Sequence, residues 1–290
     1  MSTVAMRPKK TRARTRVRVR NALVVLVIVL VVMIDLYPLY FMYSASFKTN
    51  NEFVTNPAYA FNQSLHWQNY VDSWTRGNMG VFFTNSLFNT AVSLVFITLF
   101  ALTISFALIK MEWKGRKFFT QYFAFGIMVP VATTLIPLFV IYNTGGLYNT
   151  RLGLILVYIA SAISFSVYLL SGYMRALPDE ILEASVIDGC NIYAMMWHIV
   201  MPLMKNALIT VVVIQFFFKW NDLLYSMTLI SSSSLKTMQT GLLYFSDEFG
   251  SKNWGAIFAS VSISVTPMLL MYLLLNKMVI EGMTAGAIKG

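Results

Sequence analysis

The chain is poor in charge. Acidic and basic residues make up 12% of its 290 positions, about half the roughly 25% of an ordinary soluble domain. Hydrophobic residues reach 57%, and the mean hydropathy is +0.65. One cysteine, Cys190, excludes a disulfide framework, and with His66 and His198 as the only histidines it excludes a Cys/His zinc centre. There is no G-x-x-x-x-G-K-[ST] and hence no phosphate-cradling loop; G-x-S-x-G, H-E-x-x-H and C-x-x-C are also missing. The net charge of +10 does not point to nucleic acid, because eight of the 22 Lys and Arg residues lie between Arg7 and Arg20. These absences describe a membrane protein.

What the chain has in abundance is long apolar runs. A bilayer core of roughly 30 Å takes about 20 apolar residues in a helix. Six runs reach that length: Ala22–Tyr43, Phe82–Ile109, Phe118–Tyr142, Leu152–Met174, Ala207–Ile230 and Trp254–Met278. Helices are expected because each backbone N–H and C=O must be satisfied without water; a barrel would show short alternating segments. Sixteen Lys and Arg fall in the N-terminal tail, the second and fourth loops and the C-terminus, against five in the alternate loops. The positive-inside rule then places both termini in the cytoplasm. The expected organisation is a basic tail (1–21), a six-helix membrane domain (22–278) and a short tail (279–290). The apolar run after the tail is too long for a signal peptide and no small-residue cleavage site follows it. The basic tail therefore reads as a topology anchor that attracts anionic lipid.

Outside the bilayer, Ser44–Val81 is the longest connection, and its aromatics predict packing on the outer face. Ser231–Asn253, opening on four serines, reads as a plain loop. The fourth loop, 174–205, is different. Pro178 fits a first helical position, and Asp179 and Glu180 suit the positive end of a helix dipole. Apolar and acidic residues then alternate to Asp188, Gly189 can end the helix in a left-handed conformation, and Asn191 can cap a second helix that Pro202 interrupts or kinks. A re-entry helix lying on the lipid is the plainer reading. Four acids (Asp179, Glu180, Glu183, Asp188) facing an anionic leaflet argue against it, so a protein groove is the better host.

Ionisable residues inside spans are Asp35, Lys219 and Asp222, and intramembrane charge is a functional hypothesis by default. Lys219 and Asp222 stand three apart and could pair on one helical face. Either they line a polar pathway with Trp220 and Asn221, or they form a neutralised structural pair; both readings stay open. Asp35 falls three residues before Pro38, where the first span is expected to end, so an interfacial place suits it. Pro130 and Pro137 interrupt the third span, with Gly126 a turn earlier; ordinary kinks are the commoner outcome, a break beside a cavity the rarer one. The 18 methionines read as pliable packing.

Glu183-Ala184-Ser185, three residues, Gly189, nine residues, then Ile199-Val200-Met201-Pro202 resembles the E-A-A-x-x-x-G-x9-I-x-L-P loop of permease subunits of binding-protein-dependent ABC transporters. Ser185, Cys190 and Met201 depart from its usual residues conservatively. Tyr37-Pro38-Leu39, Ser46-Phe47-Lys48, Asn69-Tyr70, Phe83-Thr84-Asn85-Ser86, Trp113-Lys114-Gly115-Arg116 and Trp220-Asn221-Asp222 are similar to segments of sugar-type permeases. Gly282 through Gly290 looks like the tail of the second permease of maltose-type importers. The resemblance implies an all-α membrane protein with a type I ABC importer permease fold and a cytoplasmic coupling helix. It implies a second, homologous permease, two cytoplasmic ABC ATPases and an extracytoplasmic sugar-binding protein, with ATP and Mg held by the ATPases and no cofactor or metal on this chain. Glu183, Ala184, Ser185, Asp188, Gly189, Ile199 and Pro202 would dock an ATPase, and Thr284, Ala285, Gly286 and Lys289 would reach the ATPase interface. Trp220, Asn221 and Asp222 are the substrate-pathway candidates. The competing reading is a stand-alone secondary transporter that couples ions through Asp35 or Lys219/Asp222; it leaves the acidic loop unexplained and lacks two similar halves. A membrane-embedded enzyme is disfavoured by the absent catalytic motifs.

Overall fold

An apolar segment without water to bond must close its own backbone hydrogen bonds, which favours helices. The computed structural model describes residues 10–57, 59–249 and 253–287, and every regular element among them is helical. In chain order these are α1 (Lys10–Ser46), α2 (Asn50–Thr55), α3 (Gln68–Thr75), α4 (Met79–Lys110), α5 (Arg116–Met128), α6 (Val131–Thr144), α7 (Arg151–Arg175) and α8 (Asp179–Ile187). There follow α9 (Ile192–Leu203), α10 (Lys205–Trp220), α11 (Leu224–Leu229), α12 (Met238–Phe249) and α13 (Trp254–Ala287). Four helices (within α1, α4, α7 and α13) are long and apolar enough to span a bilayer alone. Two bent pairs, α5–α6 and α9–α10, bring the total to as many as six.

The pair α4 and α7 forms the centre. Ala101 and Ser105 on α4, with Ala162 and Ser166 on α7, are fully or almost fully buried; such small residues let membrane helices approach closely. Ile97, Leu102, Phe106, Val167, Leu170 and Met174 fill the layer between them. The same cluster takes in Met195, Met196, Val200 and Met204 from α9 and the turn after it. The fourth loop is thus rooted in the bundle core.

The first long loop packs as its aromatics predict. Phe53 stacks on Phe258 of α13, and Asn69 donates to the carbonyls of Ser46 and Lys48, each at 2.9 Å. Thr49 and Glu52 form a capping box on α2. The Thr49 amide, with further help from the Gln63 amide, holds the Glu52 carboxyl below its usual range against the opposing effect of desolvation.

Several expectations are corrected. The first span does not end near Pro38: the helix runs through it to Ser46, so Asp35 lies inside the span, exposed on its surface. The run 207–230 is not one helix, since α10 stops at Trp220 and α11 begins at Leu224. Pro178 caps α8 from the preceding position instead of occupying its first turn. The serine stretch is not a plain loop. Asn149, at φ +57°, accepts from the amides of Ser231 and Ser232 and donates to Ser232 Oγ at 2.6 Å. Asn85 Nδ2 on α4 donates to the carbonyls of Ser234 and Lys236, and α12 follows where loop was expected. Finally, α13 extends past the expected tail boundary and carries Thr284, Ala285 and Gly286 in its last turns; Lys289 lies outside the described residues.

Candidate functional site

Two helix breaks face one cleft. Pro130 lacks an N–H and sits in extended conformation between α5 and α6, which meet at 102°. This is a true break beside a cavity, whereas Pro137 is carried inside α6. The second break is Asn221–Leu223, between α10 and α11. Residues from both breaks, with Ser161, Ser164 and Phe165 of α7, line a cleft of about 460 Å³. Gly126 helps α5 lie close to α7: a Cβ there would meet Ser164 Oγ and press on its Cβ at 3.0 Å, so a larger residue would force Ser164 to shift.

The ionisable residues at the cleft do not form the predicted pair. Among the described residues there is no Lys219–Asp222 salt bridge. Asp222 has left the α10 helix and folds forward, accepting from the amides of Tyr225 at 3.2 Å and Ser226 at 3.0 Å. It thereby caps α11. Its Oδ2 also accepts from the Tyr158 hydroxyl at 2.9 Å. Lys219 Nζ donates to Ser161 Oγ at 2.8 Å and sits 5.4 Å from the centre of the Tyr158 ring. Tyr158 thus receives both charges on one residue, its ring by Lys219 and its hydroxyl by Asp222. The arrangement gives a cleft wall of hydroxyl, amide, ammonium and carboxylate groups beside Phe165 and Phe218, a mixture suited to a polar, neutral or weakly charged solute with apolar faces.

Of the three pathway candidates, Asn221 and Asp222 line the cleft and Trp220 does not. Trp220 is 1% exposed, stacks on Phe216 and gives its N–H to the Ser264 carbonyl at 2.9 Å. It is a core residue joining α10 to α13. Sequence reasoning missed Tyr158, Ser161 and Ser164; their spacing of three in a mostly apolar helix was the available signal.

The corner between α8 and α9 is built by short-range signals. Asp179 and Glu180 occupy the first turn of α8, Gly189 ends it at φ +82°, and Asn191 Oδ1 accepts from the Ala194 amide at 2.8 Å to start α9. Within α9 the helix widens to a π turn at Met196–Val200, immediately before Pro202. Widening relieves the clash that a proline ring makes with the preceding turn, and the sharp bend of 75° comes two residues later, at Met204. Lys110 ties the corner to the end of α4. Its side chain, 6% exposed, reaches the Leu177 carbonyl and the Asp179 carboxylate at 2.6 Å each.

Around this corner Glu183, Ala184, Val186, Ile187, Asp188, Gly189 and Pro202 are exposed, Ile199 is half-buried and Ser185 is 4% exposed. Ser185 therefore faces the bundle and cannot be a surface contact as the motif had suggested; its hydroxyl donates to the Leu182 carbonyl at 2.6 Å. Gly189→Val should lower the protein's activity several-fold, because a β-branched residue at positive φ costs roughly 1–2 kcal/mol and reshapes the turn. Ser185→Ala loses one intrahelical bond and should stay close to wild type. Equal activity of both variants at equal membrane abundance would overturn this assignment.

Both features lie within the segment matched by a known family. The family described as "Binding-protein-dependent transport system inner membrane component" matches residues 98–283. The chain is 30% identical over 254 residues to "Probable ABC transporter permease protein YurM" of Bacillus subtilis, covering 88% of this chain and 84% of that one. It is 28% identical over 260 residues to the diacetylchitobiose uptake system permease protein NgcG of Streptomyces coelicolor, covering 89% and 85%. Among solved structures, a chain of a bacterial ABC transporter involved in the import of the acidic polysaccharide alginate superposes with a TM-score of 0.77. Identity there is 20%, over 94% of this chain and 99% of the other, so this likeness speaks for the fold.

Proposed function

Since the chain belongs to the family of inner-membrane components of binding-protein-dependent transport systems, we propose that it forms half of an ATP-driven pathway importing a sugar or oligosaccharide. A second, homologous permease supplies the other half. Two cytoplasmic ABC ATPases bind ATP and Mg and drive the cycle, and an extracytoplasmic sugar-binding protein delivers the solute. The carbohydrate class is supported by relatives named for diacetylchitobiose, starch degradation products and melibiose/raffinose/stachyose uptake, and by the hydroxyl- and amide-rich cleft.

The observation that carries the reading is the two-sidedness of the α8–α9 corner. One side presents Glu183, Ala184, Val186, Ile187 and Asp188 outward, while the other sinks Met195, Met196, Val200 and Met204 into the α4–α7 core. A body that seats on the outer side and moves must move the bundle with it. Truncating any one of the rooted side chains would cost about 2–5 kcal/mol, so the root holds better than the exposed tip. Energy enters here, by docking of the exposed Glu183, Ala184, Ile187, Asp188 and Gly189 in an ATPase cleft, and the last turns of α13 lead toward the same partners.

The second permease has a place of its own. The apolar window of α1 is 0% buried, against 44% for α4 and α7, and Asp35 lies on this bare stretch. Lipid could cover apolar side chains, but a carboxylate inside a span costs about 2.5–3.5 kcal/mol or more in hydrocarbon. A neighbouring protein that offers Asp35 a donor relieves this cost. The ion-coupled alternative loses its footing at Asp222, whose oxygens are engaged by two amides and Tyr158. Affinity purification of the chain from its own membranes should bring down a P-loop ATPase and a second six-span permease. Purification alone, with solute movement under an ion gradient in liposomes, would overturn the proposal.

A further inference from the structure

Two clefts outside the pathway share a wall at the basic end of the bundle. The first, about 550 Å³, is lined by Phe123 and Ala124 of α5, Val167, Tyr168 and Gly172 of α7, and Leu108 of α4. It is largely apolar, and Tyr168 on its rim is exposed. The second, about 770 Å³, adjoins it through Leu108, Thr120 and Arg175 and is lined by Lys110, Arg116, Lys117 and Asp179. Together they form an apolar crevice with a cationic mouth.

The charges in that mouth are unbalanced. Lys110, Arg116, Lys117 and Arg175 face one carboxylate, Asp179, and Lys110 is already bonded to it. Arg116 reaches the Ile109 carbonyl, at 3.3 Å, and forms no ion pair among the described residues. Lys117 and Arg175 have no acidic partner among the described residues. All four cations sit where α4, α5 and α7 end or begin, so they share one depth. Trp113, in the connection between α4 and α5, gives its indole N–H to the Ala107 carbonyl at 2.9 Å. An amphipathic indole at a helix end marks the headgroup level of a bilayer.

We propose that this crevice binds one anionic phospholipid of the cytoplasmic leaflet, its phosphate held by Lys117, Arg175 and Arg116 and an acyl chain lying along Phe123, Val167, Tyr168 and Gly172. Charge decides between occupants. A zwitterionic lipid or an apolar peptide would leave the excess cations unmet, whereas a phosphate oxygen set matches the planar fork of arginine. Basic pockets between membrane helices on the cytoplasmic side favour such headgroups in general. The lipid fills a seam between α5 and α7 and borders the Lys110–Asp179 tie to α8. The inference rests on the cytoplasmic placement of this end, which the charge distribution supports.

The test is native mass spectrometry of the purified transport complex titrated with phosphatidylglycerol or phosphatidylcholine. One phosphatidylglycerol per copy of this chain should remain bound at activation energies that strip phosphatidylcholine. Lys117→Gln with Arg175→Gln should weaken its binding about 25-fold, roughly fivefold per charge removed. Lys117→Arg with Arg175→Lys should retain it. Undiminished binding in the Gln variant, or equal loss in the charge-conserving variant, would overturn the site. Orientation is checked separately on the native Cys190. A membrane-impermeant maleimide that labels it in intact cells would refute the cytoplasmic placement itself, a failure distinct from loss of the lipid.

Discussion

Ile187→Asp is expected to cut ATP-driven uptake at least thirtyfold while leaving the membrane bundle folded. Ile187 is 85% exposed, at the last turn of α8, and touches none of the core clusters, so its replacement opens no cavity. Under the proposed docking, its cost falls on the docked state. The groove loses an apolar contact worth about 1.5–3 kcal/mol and gains a carboxylate beside Glu183 and Asp188 that it was not shaped to pair. A loss of 2 kcal/mol is about thirtyfold in affinity. Uptake and binding-protein-stimulated ATP hydrolysis are measured on the reconstituted complex, with thermal unfolding in detergent as the control for folding. Wild-type coupling in Ile187→Asp would remove the α8 tip from the docking surface. A matching drop in unfolding temperature would make the effect one of stability.

Asp222→Ala carries the other large effect, through different physics. The cap on α11 is worth about 1 kcal/mol, and the buried Tyr158 hydroxyl left without an acceptor costs another 1–3 kcal/mol. We expect the cleft to lose its shape and uptake to fall below a tenth of wild type, with the unfolding temperature lowered. Adding Tyr158→Phe removes the stranded hydroxyl, so the double variant should recover the second part of the loss. Asp222→Asn keeps an acceptor oxygen and nearly the same shape and should retain most uptake. That variant separates the readings, because a carrier that moves ions through the Asp222 charge would be inactive with asparagine there. Uptake by Asp222→Asn near the level of Asp222→Ala would contradict the capping role.

How much of this was legible beforehand depended on the range of the interactions. The spans are visible because each is a local run of apolar residues, and the α8–α9 corner because its start, stop and second cap are set by Asp179, Gly189 and Asn191 within a dozen positions. The break after Trp220 went unread although Lys219, Asn221 and Asp222 interrupt the apolar run 207–230 there, because polar residues inside a span do not by themselves tell a helix break from a functional charge. It exists because Asp222 turns toward Tyr158, 64 residues earlier in the chain. Trp220 was misread for the same reason: its stacking on Phe216 and its bond to Ser264 bury a ring whose type and position suited a pathway. The serine run looked structureless until Asn149 and Asn85, far away in sequence, supplied its hydrogen bonds. Ser185 shows the limit of a motif, which reports which residues recur together but not which way each one faces. The bareness of α1 could not be read at all, because an apolar sequence is the same whether lipid, its own bundle or a neighbour covers it.

The decisive measurement is a photoreactive amino acid placed at Ile187 in the full complex, irradiated in native membranes, with the adduct identified by mass spectrometry. Transfer of the label to a P-loop ATPase, changing in yield between nucleotide-free and nucleotide-trapped states, is the predicted result. Label confined to lipid, with no ATPase adduct in either state, would mean that α8 lies on the membrane as a re-entry helix and that energy reaches the pathway by another route.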